Sequence, residues 1–328
     1  MLITRTPFRI SFFGGGTDYY DYFSKHSGCV LSTSIDKYCY LSMRKLPPFF
    51  GYKNQFTYSK IERFDNADEV KHPLVRAALK YIPTQGIQIA YDADLPACSG
   101  IGSSSAFAVG LLQSLHAFKD EYPDKLTLAK EAIHLERELC MEAGGVQDQL
   151  AAAFGGFNLI SFDENGYKVK PIDVSEETKN QLQDNLLLAF TGFTHFSGEI
   201  AIAQQNNIPS TISQLNEMKA LTFEAERLLL NGNVTDFGRL LDHTWSLKRS
   251  LSDSISNSYI DEFYEKAKRN GALGGKLLGA GGGGFMLLYV PAENQKKFKE
   301  SCNGLKYIPF GFEDTGTKII YNDGELIL

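Results

Sequence analysis

Near the start of the chain the apolar residues Phe8, Ile10 and Phe12 alternate with Arg9 and Ser11. This two-residue period predicts a strand over 2–13. The strand ends at Gly14-Gly15-Gly16-Thr17-Asp18, and the aromatic run 19–23 opens a short helix. Residues 28–43 read as one or two strands, Leu46-Pro47-Pro48 as a turn and 56–59 as a strand. Pro73 starts a helix over 73–81, since a first-turn proline sacrifices no intrahelical bond. Alternation over 87–91 predicts a strand that delivers the chain to a loop rich in glycine and serine. Beyond it Phe107, Leu111, Leu112 and Leu115 recur at helical spacing. A further helix is predicted over 127–141, broken at Ala143-Gly144-Gly145 and resumed over 146–154. Residues 157–162 and 167–170 make a hairpin about Glu164-Asn165-Gly166.

The polar stretch 173–185 marks a boundary, which divides the chain into domains 1–180 and 181–328. An apolar strand follows at 186–191, then helices near 198–206, 210–231, 233–247 and 257–270. A glycine run at 274–284 leads into a strand over 285–290, and a helix with two or three strands closes the chain. Strands and helices without regular βαβ alternation predict an α+β fold.

Composition narrows the function. A chain of 328 residues exceeds what one hydrophobic core ordinarily serves, which agrees with two domains. Thirty-nine acidic against 33 basic residues give a net charge of −6, which argues against a nucleic-acid binder. The five cysteines, Cys29, Cys39, Cys98, Cys140 and Cys302, are odd in number and widely spaced. That pattern suits reduced thiols better than disulfides or a zinc site. No signal-peptide pattern precedes Arg5 and Arg9, and no apolar run spans a bilayer. A cytoplasmic protein without membrane partners is expected.

Candidate chemistry begins in the loop before Phe107. Gly100 and Gly102 allow close backbone approach, and Ser103, Ser104 and Ser105 stand where a helix opens. Such a loop suits phosphate, through free amides and the helix dipole, or it is simply a helix cap. Gly279-Ala280-Gly281-Gly282-Gly283-Gly284 satisfies the dinucleotide spacing but runs into a strand instead of opening a helix, and no Walker-type motif occurs. Close backbone packing between domains is the other reading of that run. On a helix over 127–141, Glu131, Glu138 and Glu142 share a solvated face. Glu136 falls among Ala129, Ala132, Ile133, Leu139 and Cys140, where a carboxylate needs a metal or an arginine. Asp148 is surrounded by small residues, or is a cap or surface acid. Arg9 and Asp18 flank the first glycine turn, where the arginine faces solvent or the aspartate caps the aromatic helix unless both belong to a site.

Three stretches then resemble, in order, the glycine motifs of the GHMP small-molecule kinases. They are Pro7-Phe8-Arg9-Ile10-Ser11-Phe12-Phe13-Gly14-Gly15-Gly16-Thr17-Asp18, Pro96 through Ala106, and Lys276-Leu277-Leu278-Gly279-Ala280-Gly281-Gly282-Gly283-Gly284. Gly145-Val146-Gln147-Asp148-Gln149 is similar to the segment that holds the catalytic aspartate in galactokinase-like members. Leu31-Ser32-Thr33-Ser34-Ile35-Asp36-Lys37-Tyr38-Cys39-Tyr40, Leu46-Pro47-Pro48-Phe49-Phe50 and His72-Pro73-Leu74-Val75-Arg76 resemble the D-glycero-D-manno-heptose 7-phosphate kinases within that family. So do Gly155-Gly156-Phe157-Asn158, Trp245-Ser246-Leu247-Lys248-Arg249 and Ser256-Asn257. His195 stands where that pattern has an arginine.

The resemblance implies a two-domain GHMP-kinase fold. An N-terminal mixed sheet with helices is expected beside a C-terminal ferredoxin-like domain, with the active site in the cleft between them. It implies ATP and Mg²⁺ as cofactors and a small-molecule sugar phosphate as partner, and leaves a homodimer open. Gly100, Ile101, Gly102, Ser103, Ser104, Ser105 and Ala106 would wrap the ATP phosphates. Ser104 and Glu136 would hold the metal, and Asp148, with Arg9 beside it, would take the acceptor's proton. Gly15, Gly16, Thr17, Asp18, Gly281 and Gly282 would meet the sugar, and Lys248, Arg249 and Lys276 its 7-phosphate. The reaction implied is phosphorylation of the C1 hydroxyl of heptose 7-phosphate. A kinase for galactose or fucose and a non-catalytic binding protein are the alternatives.

Overall fold

A computed structural model of the chain describes residues 1–192 and 197–324; His195 lies outside them. The first half runs β1 (Leu2–Phe13), α1 (Tyr20–His26), β2 (Gly28–Lys45), β3 (Asn54–Thr57), β4 (Ile61–Phe64), α2 (Pro73–Tyr81) and β5 (Ile87–Ala93). It continues with α3 (Ser103–Phe118), α4 (Lys125–Ile133), α5 (Gln147–Phe154), β6 (Phe157–Asp163) and β7 (Gly166–Pro171). The second half contains α6 (Glu176–Asp184), β8 (Leu186–Phe190), α7 (Ser197–Asn207), α8 (Ile212–Leu230), α9 (Val234–Arg249) and α10 (Ser258–Arg269). It closes with β9 (Gly274–Leu277), β10 (Phe285–Tyr289), α11 (Gln295–Ser301), β11 (Lys306–Ile308), β12 (Phe312–Glu313) and β13 (Lys318–Asn322).

Two sheets organise these elements. The larger runs β13-β1-β2-β5-β3-β4, with β6, β7 and β12 attached through β2, and is mixed because β3 runs parallel to β5. The expected one or two strands after Gly28 are one strand of 18 residues. Its length is explained by its partners: β1 lies along one edge, while β6, β12 and β5 share the other in succession. The smaller sheet is antiparallel with order β11-β8-β10-β9, which is 4-1-3-2 in chain order, the ferredoxin-like arrangement. The fold is therefore α+β, as the pattern predicted. The last described strands return to the first sheet, however, since β12 pairs β2 and β13 pairs β1. A cut at residue 180 does not separate the sheets.

The polar stretch taken as a boundary is itself a helix, α6, capped by Ser175 and anchored by buried Leu182. The cores are shared as well: Phe237 of α9 packs edge-on against Phe12 and Phe13 of β1, with centroids at 5.3 and 5.0 Å. Helices α3 and α5 also contact β1, so almost every residue from Thr6 to Phe13 is buried. The alternation at Arg9 and Ser11 therefore marks no solvent face.

The helix expected over 127–141 is interrupted. Asp124 caps α4, accepting from the amides of Leu126 and Thr127 at 2.9 Å each. From His134 to Leu139 the turn widens to a π-helix. Wide turns of this kind shift side chains off the 100° spacing and recur at functional sites. Leu139, which ideal spacing puts on the apolar face, is exposed, while Glu136 stays buried. Glu131 is not simply solvated, because its carboxylate meets His116 Nε2 at 2.7 Å.

Candidate active site

The second and third glycine loops meet backbone to backbone. A Cβ on Gly279 would lie 2.4 Å from Gly100 Cα, and one on Gly100 would lie 2.4 Å from the Leu278 carbonyl oxygen. Both residues have positive φ, +70° and +82°, so only glycine fits without strain. The Phe285 amide donates to the Ser99 carbonyl at 3.1 Å, tying the loop before α3 to the loop after β9. The Arg9 amide donates to the Ile101 carbonyl at 3.1 Å, which joins the same loop to β1.

Gly102, not a serine, is the residue that caps α3. Helix geometry leaves the first amides of α3 without intrahelical acceptors, and the dipole there favours an anion. The serine hydroxyls turn instead to Glu136, which is 1% exposed. Ser104 Oγ donates to Oε1 at 2.9 Å, and Ser105 Oγ donates to Oε2 at 2.7 Å. Gln149 Nε2 donates to Oε2 at 2.5 Å. No arginine pairs with Glu136 among the described residues. Ser103 and Ala106 are buried in the first turn of α3, and Ile101 is buried beneath the loop.

Arg9 and Asp148 face each other under that loop. Arg9 is 4% exposed and Asp148 22%. The guanidinium donates from Nε to Oδ1 and from Nη2 to Oδ2, both at 2.7 Å, and from Nη1 to the Gly100 carbonyl at 2.7 Å. A two-pronged pair of this kind fixes orientation as well as charge. A Cβ on Gly102 would stand 3.3 Å from Arg9 Cγ and 3.4 Å from Asp148 Oδ2, so the pair lies directly behind the turn.

Asp18 is buried beside them. Its Oδ1 accepts from the Gly16 amide at 2.9 Å, and its Oδ2 accepts from Gln147 Nε2 at 3.0 Å and from the Gln147 amide at 3.3 Å. Burial first, and then Asp148, push the Asp18 carboxyl upward from its ordinary range. Gly15 borders Ser11 and Gln147, whose Oγ and Oε1 are buried without a partner. Polar capacity is thus left open along the first loop. Gln147 and Gln149, on either side of Asp148, were not expected as site residues. Only the packing of α5 shows that one reaches Asp18 and the other Glu136.

Other expected contacts are engaged in the fold. The Thr17 hydroxyl lies 2.8 and 2.9 Å from the carbonyls of Gly14 and Cys29 and accepts from the Cys29 amide at 3.1 Å. Gly281 and Gly282 pack against Ile255, whose carbonyl accepts from the Gly282 amide at 2.9 Å. The three cations expected at a 7-phosphate do not form an open cluster. Arg249 donates to Asp261 at 3.0 Å and lies over the Trp245 ring. Lys248, 5% exposed, donates to the carbonyls of Leu277, at 3.0 Å, and Gly279. Lys276, 2% exposed, donates to the Phe12 carbonyl at 2.9 Å. Burial, then the neighbouring Arg9, lower Lys248 to about 7. Burial, then Lys248 and Arg9, hold Lys276 well below the usual lysine range.

A surface concavity of about 330 Å³ between α1, the π-helix and the β6–β7 hairpin contains none of these groups. Among the described residues no helix is long and apolar enough to cross a membrane.

Comparison with known proteins bears on the family and the fold. The chain is 27% identical to D-glycero-alpha-D-manno-heptose 7-phosphate kinase of Campylobacter jejuni, over 96% of this chain and 97% of the relative. It is 26% identical to a galactokinase of Pyrococcus furiosus over 90% of each. The crystal structure of a D-glycero-D-manno-heptose 1-phosphate kinase from Bacteroides thetaiotaomicron superposes with a TM-score of 0.81 at 22% identity, over 98% of this chain and 100% of that one. The GHMP kinase N-terminal domain model matches residues 70–156 and the C-terminal model residues 225–304. Together the two models span just over half of the sequence, and the chain belongs to the GHMP kinase family, as an ATP-dependent sugar kinase.

Proposed function

We propose that the protein transfers the γ-phosphoryl group of ATP to the anomeric C1 hydroxyl of D-glycero-D-manno-heptose 7-phosphate. The product is the 1,7-bisphosphate, on the way to nucleotide-activated heptose for surface glycans. The reaction runs in the cytoplasm, a setting that suits five free thiols. The observation that carries the chemistry is the Arg9–Asp148 pair behind the Gly102 turn, which sets a rigid carboxylate against a loop built for phosphate. Asp148 accepts the hydroxyl proton as the acceptor oxygen attacks. Arg9 holds the carboxylate in place, and the amides of α3 bind the nucleotide phosphates. Asp18, with the open acceptors Ser11 and Gln147, orients sugar hydroxyls. Phosphoryl transfer asks mainly for this positioning and for charge stabilisation.

The residues also fit a magnesium ion. Ser104 Oγ and Glu136 Oε1 are hard oxygen donors 2.9 Å apart, and Gln149 Oε1 is a buried oxygen without a partner beside them. Bound there with phosphate oxygens and water, magnesium would offset the charge of the β- and γ-phosphates. Ser104→Ala is expected to raise the Mg-ATP requirement roughly 10-fold or more, the scale of one hydrogen bond to a charged group. The fold should be undisturbed, since Ser104 is exposed. A magnesium titration at fixed ATP checks this, and an unchanged curve would reduce the loop to a helix cap.

The heptose 7-phosphate assignment is supported by the full-length likeness to the Campylobacter relative. One observation favours a second reading, an unphosphorylated sugar: Lys248, Arg249 and Lys276 are all engaged within the fold. An ADP-release assay across heptose 7-phosphate, heptose, galactose, fucose and mannose separates the two. The phosphorylated heptose should exceed the others by about tenfold or more in kcat/KM, because removing the phosphate removes charge-assisted bonds. Equal turnover of unphosphorylated sugars would sink the assignment, and phosphorus NMR of the product reports whether C1 is the position modified.

A further inference from the structure

Two lysines lie deeper in this molecule than their chemistry favours. A buried ammonium is costly unless its protons are taken up by good acceptors. Lys248 reaches from the end of α9 to the carbonyls of Leu277 and Gly279, where the third glycine loop leaves β9. Lys276 reaches from β9 across to the Phe12 carbonyl of β1. That acceptor is unusual: the β1–β2 register breaks between Ser11 and Phe13, so Phe12 is an extra residue with no partner on β2. The bulge thereby presents a backbone carbonyl just ahead of Gly14-Gly15-Gly16, and Lys276 takes it. One lysine thus holds the third glycine loop. The other ties the second sheet to the strand that leads into the first loop.

The charges near them interact. Arg9 of β1, Lys248 of α9, Lys276 of β9 and Asp18 of the first loop are buried, and the half-buried Asp148 of α5 pairs with Arg9. Asp18 and Asp148 repel each other, and among the described residues Arg9 is the cation that forms an ion pair with Asp148. Lys248 and Lys276 add two further positive charges to this group. The hydrogen bonds the two ammonium groups make run to backbone carbonyls, those of Leu277 and Gly279 for Lys248 and that of Phe12 for Lys276.

We propose that Lys248 and Lys276 are positioning residues that brace the first and third glycine loops against each other across the two sheets, and so set the distance between acceptor and nucleotide. This rests on the kinase reading above but not on the choice of sugar. Displacement of reacting groups by about an ångström costs on the order of 10²-fold in rate.

Lys248→Met and Lys276→Met keep the stem and remove the ammonium. Each is expected to lower kcat about 10²-fold while KM for sugar and ATP changes less than about threefold. The loss should be the same for heptose 7-phosphate and for any unphosphorylated sugar the wild type accepts. Lys→Gln at either position restores a donor and should recover part of kcat. It also carries the comparison if a methionine variant does not fold. A selective rise in KM for the phosphorylated sugar, with kcat intact, would overturn the proposal and return the lysines to a substrate-phosphate role. Wild-type kinetics in both variants would overturn it too.

If the wild type prefers another sugar, the heptose assignment fails and the same comparison is made on that sugar. If it turns over none, hydrogen exchange decides. Lys276→Met should speed exchange of the amides at 13–18 and 279–284 relative to wild type, and unchanged exchange there would refute the brace.

Discussion

Asp148→Asn is expected to lower kcat by about 10²–10⁴-fold, the range attributed to one well-placed general base. Nucleotide binding should change little, since the amides and hydroxyls of the phosphate loop are separate groups. The substitution keeps shape and leaves Oδ1 to accept from Arg9 Nε, but it sets an amide against Arg9 Nη2. Arg9, buried, then loses its ion pair and one of its two bonds to residue 148, and retains the Gly100 carbonyl. Some loss of stability is therefore expected beside the loss of rate, because an uncompensated buried charge is destabilising. Single-turnover transfer, measured beside ATP binding and thermal unfolding, separates these effects. A variant that binds ATP, melts near wild type and still transfers at more than a third of the normal rate would show that positioning alone drives the reaction.

Gly279→Ala is expected to be strongly damaging. Its Cβ would enter the space of Gly100 at 2.4 Å, and its φ of +70° disfavours any side chain. Backbone strain alone is on the order of 1–3 kcal/mol, which corresponds to a fall in Tm of roughly 2–10 °C. The larger consequence is for rate, because the second and third loops must separate to admit the methyl group, and kcat/KM should fall about 10²-fold or more. Gly86 is the control, with φ +71° and open space around it. Gly86→Ala should show the strain in Tm and leave kcat unchanged. Matching behaviour of the two variants would mean that contact between the loops is not required.

Local patterns made much of the molecule legible. Helix α2 begins and ends where the first-turn proline and the apolar spacing put it. The β6–β7 hairpin forms in the expected segment, turning at Glu164-Asn165 with Gly166 paired to Asp163. Glu136 could be singled out because a carboxylate among alanines and isoleucine is improbable without a partner. The same local logic failed where tertiary contacts override it. The alternation in β1 suggested a solvent face for Arg9, yet helices cover both sides of the strand. The regular spacing of 127–141 missed the π-helix, within which Glu136 meets Ser104, Ser105 and Gln149. Lys248, Arg249 and Lys276 looked like free cations because sequence gives no burial for a lysine.

By itself, then, the sequence determined most elements and the three glycine loops, and it set Glu136 apart, since each depends on neighbours a few positions away; Ser104 and Asp148 were singled out by the family resemblance those motifs carry. Tertiary structure alone decided that Arg9 clasps Asp148 from 139 positions away and that Lys276 holds Phe12 from 264. It also decided that β12 and β13 return to the first sheet. The physical reason is the same in each case. A buried charge or a strand edge takes its partner from whatever the packed chain brings beside it, and separation along the sequence carries no record of that choice.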